Sequence, residues 1–136
     1  MKKIISILIF LCTLSVSAQI SYVCFQNDKN KNLFVSVKFK NYKAFGVKYG
    51  GQKSYIQLKF KKRENFQESE GRKTWWNETY NEIINGKING QYVTTNSGTY
   101  GLDFQYYRKD GKEFYFAVYE SGNDENNFPY TVNPTF

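Results

Sequence analysis

Histidine is absent from all 136 residues, which removes the usual proton shuttle, the Ser/His and Cys/His nucleophile pairs and the histidine-bearing zinc sites. Carboxylates, tyrosines and lysines are left to carry any chemistry. A carboxylate pair is the one hydrolytic device still open, and it needs separations of about 5–5.5 Å for retention or about 6.5–9.5 Å for inversion at a glycosidic carbon. Glu78 and Glu82 share a strand face but stand four residues apart, roughly 13 Å at ~3.3 Å per residue. Asp103 and Glu120 are the better-spaced pair, as diagonal neighbours about 7 Å apart across a hairpin. The sequence holds no P-loop, no dinucleotide-binding glycine pattern, no G-x-S-x-G elbow and no clustered metal ligands. We therefore expect no enzyme, no cofactor and no metal, with Asp103 and Glu120 as the outside catalytic pair.

Binding chemistry is better represented. Trp75 and Trp76 are adjacent, so on a strand their rings go to opposite faces and one is left for a covering loop or a ligand. Tyr106 and Tyr107 repeat the arrangement. In Lys59-Phe60-Lys61-Lys62-Arg63 strict alternation puts Lys59, Lys61 and Arg63 on one face as a basic patch. The formal net charge is +7, two units of it from Lys2 and Lys3, which favours anionic partners. Only Arg63, Arg72 and Arg108 are arginines, however, and lysine suits a solvated basic surface better than planar phosphate recognition.

The elements that must hold these residues are strands. With 12 Phe, 12 Tyr and 2 Trp in the chain, and only Leu33, Leu58 and Leu102 as leucines after residue 18, the apolar content is aromatic and β-branched. Leu33, Val35, Val37 and Phe39 alternate with polar residues, as do Ile56, Leu58 and Phe60, which is the pattern of half-buried antiparallel strands. Turn residues then divide the chain into eight strands: 20–25, 33–40, 44–49, 54–61, 75–84, 87–95, 99–108 and 113–119. The charged stretch 62–73 is expected to be the longest internal loop. Asn85-Gly86 and Asp110-Gly111 suit two-residue hairpins with positive φ, while Asn89-Gly90 marks a bulge or bend. Pairing about Asp110-Gly111 puts Tyr107 opposite Phe114, Gln105 opposite Phe116 and Asp103 opposite Val118. Eight short strands joined by tight turns predict a small antiparallel meander barrel, with a β-sandwich as the alternative, because closure removes exposed edges.

Residues 1–18 stand apart from this domain. Met1-Lys2-Lys3, an apolar run from Ile4 to Leu14 and Ser15-Val16-Ser17-Ala18 read as a secretory leader cleaved before Gln19. The expected organisation is a leader over 1–18, a barrel over 19–120 and an irregular tail over 121–136. The product is expected to be periplasmic or secreted. Beyond the leader Cys24 is the sole cysteine, which suits a buried thiol or an intermolecular bridge.

Tyr22-Val23-Cys24, the short alternating strands and Ser97-Gly98-Thr99-Tyr100 together resemble the small secreted C-type lysozyme inhibitors of the membrane-bound and periplasmic kind. That resemblance implies an eight-stranded barrel. It also implies that a Ser-Gly-x-x-Tyr loop, here Ser97 to Tyr100 and one residue shorter, enters the lysozyme cleft with a basic partner, Arg108 or Lys109. The expectation is an exported, non-enzymatic β-barrel binding module whose partner is a protein, a glycan or a small apolar ligand of the envelope or exterior, met near Trp75, Trp76 and Tyr107. Export argues against nucleic acid. A lipocalin-like carrier of a small apolar ligand and a carboxylate-dependent glycan hydrolase are the alternatives.

Overall fold

A computed structural model describes residues 19–67, 74–96 and 101–122. The expected leader, the segments 68–73 and 97–100, and most of the expected tail lie outside the described residues. Eight strands follow one another, β1 (Ile20–Asn27), β2 (Phe34–Lys40), β3 (Lys43–Tyr49), β4 (Ile56–Gln67), β5 (Thr74–Ile84), β6 (Lys87–Asn96), β7 (Gly101–Arg108) and β8 (Glu113–Gly122). Each pairs antiparallel with the next, and β8 returns to pair with β1, so the sheet closes into a meander barrel rather than a sandwich.

Most boundaries fall within two residues of expectation, and two strands run three residues or more past it. β4 runs to Gln67 and β8 to Gly122, so much of the charged stretch 62–73 is strand. Residues 62–66 are exposed, which is why their composition imitates a loop, but the backbone finds partners all the way from Lys62 opposite Thr79 to Gln67 opposite Thr74.

The last hairpin is also set one residue away from the expected register: Tyr107 faces Glu113, Tyr106 faces Phe114, Phe104 faces Phe116 and Asp103 faces Ala117. The connection is a three-residue loop. Gly111 N–H bonds to Arg108 O at 3.0 Å and takes φ +86°, while Arg108 N–H bonds to Lys112 O at 2.9 Å. This is a type I turn followed by a left-handed glycine, a common three-residue hairpin. Packing selects it, because this register turns Phe104, Tyr106 and Phe116 inward together, and a slip of one residue would set part of that group outward. Asn85-Gly86, by contrast, forms the expected two-residue turn, with φ of +50° and +73°.

Leu33, Val35, Val37 and Phe39 are 0–2% exposed, as their alternation predicts. The barrel interior is a column of rings: Phe25 stacks on Phe104 at 4.9 Å, Phe104 on Tyr92 at 4.9 Å and Tyr92 on Tyr106 at 4.5 Å. Each buried ring contributes its transfer energy, about 1.5–3 kcal/mol, and offset stacking adds about 0.5–1.5 kcal/mol per pair. Packing of this kind stabilises the barrel from within. Cys24 is wholly buried.

Candidate binding site at one end of the barrel

The two ends of the barrel are built differently. One collects the connections 28–33, 50–55, 85–86 and 109–112. The other collects the Asn41-Tyr42 turn and the strand ends Gln67, Thr74, Asn96 and Gly101. β5 crosses between them with Glu78, Tyr80 and Glu82 on its inner face, at 0%, 0% and 3% exposure. Two carboxylates are thus taken out of water, one toward each end.

Toward the second end Glu78 is fully matched. A bulge at the Phe60/Lys62 step resets β4 so that Arg63 pairs with Glu78. Arg63 Nε donates to Glu78 Oε1 at 2.9 Å and Nη2 to the same oxygen at 2.5 Å. The Tyr80 hydroxyl donates to Oε2 at 2.5 Å and accepts from Ala44 N–H at 3.1 Å. Burial, followed by the neighbouring Glu78, pushes the Tyr80 phenol far above its ordinary range. Arg63 also lies 5.0 Å from the Trp76 ring centre, a cation–π contact.

Toward the first end Glu82 is only half matched. The β5–β6 register shifts at the Glu82/Ile83 step, with Glu82 opposite Gly90 and Ile83 opposite Ile88, leaving Asn89 as the extra residue. Bulges re-aim side chains, and here Asn89 Nδ2 donates to Glu82 Oε1 at 2.9 Å. Glu82 Oε2 is buried with no partner at full hydrogen-bonding geometry, although the Tyr106 phenol leans close enough for the carboxylate to raise it. Gly90 is required at its position: a Cβ there would stand 2.6 Å from Tyr106 Cε2 and 2.7 Å from its hydroxyl. The absent side chain lets the Tyr106 ring lie flat against β6 beside Glu82.

A cavity of about 230 Å³ opens at this end, lined by Tyr49, Gln52, Ile56, Glu82, Asn89, Tyr106 and Arg108. The hydroxyl of Tyr49, one of the lining residues, bonds to that of the buried Tyr92. Burial, then the charge of Glu82, raises the Tyr106 phenol, and burial raises Tyr49 and Tyr92 likewise, so these hydroxyls stay protonated at neutral pH. Arg108 lies on the rim, but its Nε and Nη2 are taken by Asp110. That pairing holds the Asp110 carboxyl down at about 2. The arrangement offers acceptors and one uncompensated carboxylate to whatever enters. Among the described residues no group of three acidic or cysteine side chains could hold a metal.

The other predicted residues are scattered. Trp75 and Trp76 are both half-buried, and Trp75 Nε1 is buried without a hydrogen-bond partner. Tyr107 faces outward and donates to Gln105 Oε1 at 2.6 Å. The expected patch of Lys59, Lys61 and Arg63 is divided, because the bulge leaves Lys59 opposite Asn81 and sends Arg63 to the Glu78 side. Asp103 is exposed and opposite Ala117 rather than Val118, so the register from which its diagonal placement beside Glu120 is expected is not the one formed. Ser97 and Tyr100 lie outside the described residues, but Asn96 and Gly101, which bracket them, are at the far end of β7 from Arg108 and Lys109. Alternation alone could have placed Glu78 and Glu82 inside, since both fall in phase with Tyr80. The glycine in Asn89-Gly90 was the other available signal.

Comparison of the chain with protein-family models, with curated proteins and with solved structures finds no match.

Proposed function

We propose that the protein is an exported, non-enzymatic binding module that receives its ligand, or a protruding group of a larger partner, in the cavity at the Glu82 end. The observation that carries this reading is Glu82 Oε2, a buried acceptor without a partner beside a cavity ringed by polar side chains. A fold rarely leaves such a group unmatched unless it has a use, because stranding a buried acceptor costs about 1–3 kcal/mol. The interior favours recognition at a mouth over storage inside, since stacked rings fill the middle of the lumen. A carrier would have to use the same mouth. Export is supported by the charged start and apolar run of residues 1–18.

Native mass spectrometry of protein recovered from the envelope fraction of the producing cell tests the reading. A retained small molecule, or a partner captured by wild type and lost when Gly90→Ala crowds the cavity, supports it. A bare chain that captures the same partners with and without that substitution removes the cavity from the account. Amino-terminal sequencing should begin at Gln19. Inhibition of a C-type lysozyme is the most specific version, and a cell-wall lysis assay decides it: an unchanged lytic rate at stoichiometric protein excludes it. Of the basic residues toward the Asn96 and Gly101 end, which include Lys40 and Lys43, Arg63 is already engaged by Glu78.

A further inference from the structure

We infer that the Glu82 cavity binds a protonated primary amine. This rests on the reading that the cavity is the binding site, and adds the chemical class of its occupant.

Charge is the first reason. None of the ion pairs among the described residues includes Glu82. The one cation on the cavity wall, Arg108, is neutralised by Asp110 instead. A carboxylate at 3% exposure without a cation is the costly half of a buried ion pair, and a ligand that supplies the other half is favoured over a neutral or anionic one.

Geometry separates an ammonium from a guanidinium. A guanidinium is held best by two parallel bonds to both carboxylate oxygens, but Oε1 is already taken by Asn89 at 2.9 Å. Only Oε2 is open. One available oxygen suits the divergent N–H bonds of an ammonium better than the paired fork of a guanidinium, and the polar side chains of Gln52, Asn89 and Tyr106 line the same cavity. Ile56 and the ring of Tyr106 provide an apolar wall for a short hydrocarbon chain. The volume, about 230 Å³, is roughly one and a half times the ~150 Å³ that accommodates benzene in an engineered cavity. It limits the occupant to a few carbons behind the nitrogen. That chemistry is shared by a free alkylamine and by a lysine side chain on a partner protein.

The experiment is an NMR-monitored titration of the protein with four probes that each carry a four-carbon chain: n-butylammonium, Nα-acetyl-lysine amide, n-butanol and butyrate. The two ammonium probes should shift amide signals of Glu82, Asn89 and Tyr106 and bind about tenfold or more tighter than butanol, the worth of one charge-assisted bond. Butyrate should not bind. Tighter binding of the lysine amide assigns the site to a partner's side chain, and tighter binding of butylammonium to a free amine. Glu82→Gln, which keeps an acceptor for Asn89, should abolish the preference for ammonium over butanol. The wild-type comparison of butylammonium with butanol needs no variant, so misfolding of Glu82→Gln does not leave the inference unexamined. Equal affinity for butanol and butylammonium overturns it. If butanol or butyrate occupies the cavity and the ammonium probes do not, the amine assignment fails while the binding-module reading stands. If no probe binds and native mass spectrometry shows no ligand, both fail.

Discussion

Glu78 and Glu82 leave the same strand on the same side, with only Tyr80 between them on that face, and meet opposite treatment. Glu78 receives a guanidinium and a phenol and has no unmet capacity. Glu82 receives one amide proton and keeps an oxygen bare. Both sites depend on a bulge, at the Phe60/Lys62 step for one and at Asn89 for the other. The first bulge brings in a cation, and the second brings in a neutral amide. The lesson is that a buried charge is structural where the fold supplies its counterion and is a candidate for recognition where the fold withholds it.

The comparison can be broken most severely at Arg63. Arg63→Met should strand the Glu78 charge and lower unfolding free energy by about 3 kcal/mol, the low end of the range for breaking a buried pair because the arginine is partly exposed. Guanidinium denaturation measures it, and adding Glu78→Gln should restore most of the loss. No loss in the single variant would mean that Glu78 is not held by this pair. At the other end, Gly90→Ala should cost about 2 kcal/mol, since the new methyl group must displace the Tyr106 ring. An unchanged midpoint would show that the ring yields freely. Tyr80→Phe removes a donor to Glu78 and an acceptor from Ala44 N–H, for an expected loss of about 1–2 kcal/mol in the same denaturation assay.

Glu82→Gln sharpens the contrast by its smallness. Removing an uncompensated charge while keeping the Asn89 bond should change stability by less than about 1 kcal/mol, and in the stabilising direction. A loss comparable to Arg63→Met would mean that Glu82 has a counterion after all. Smallest is the effect of acid on the rim. Arg108 holds the folded Asp110 carboxyl down at about 2, below its usual 3.8, so its contribution is present above pH ~4 and is lost as pH falls toward ~2. Asp110→Asn should flatten that acid segment of a stability-versus-pH curve and lower the plateau above pH ~4 by the same small amount, leaving the slope of the neutral region unchanged.

Much of the barrel was legible. Alternation placed Leu33, Val35, Val37 and Phe39 inside, and Asn85-Gly86 announced its turn through two positive φ angles. Asn89-Gly90 marked a real bulge. The failures share one cause. At Lys61, at Asn89 and in the Asp110-Gly111 loop a single residue is added to one strand or connection, and parity changes for everything beyond it. Such an insertion divided the basic patch at Arg63 and set Asp103 opposite Ala117 rather than Val118. Strict period-two counting has no term for it.

Composition and alternation are local properties, and they sufficed to determined effect: an all-antiparallel sheet with aromatic rings on its inner face. The chemistry of the interior was decided elsewhere. Whether a glutamate met arginine or asparagine, and whether a glycine left room for a tyrosine, depended on which residues of neighbouring strands came opposite one another. That choice is made by the packing of the closed barrel as a whole, because a shift of one residue costs the local chain little but turns an entire row of rings from the core to solvent.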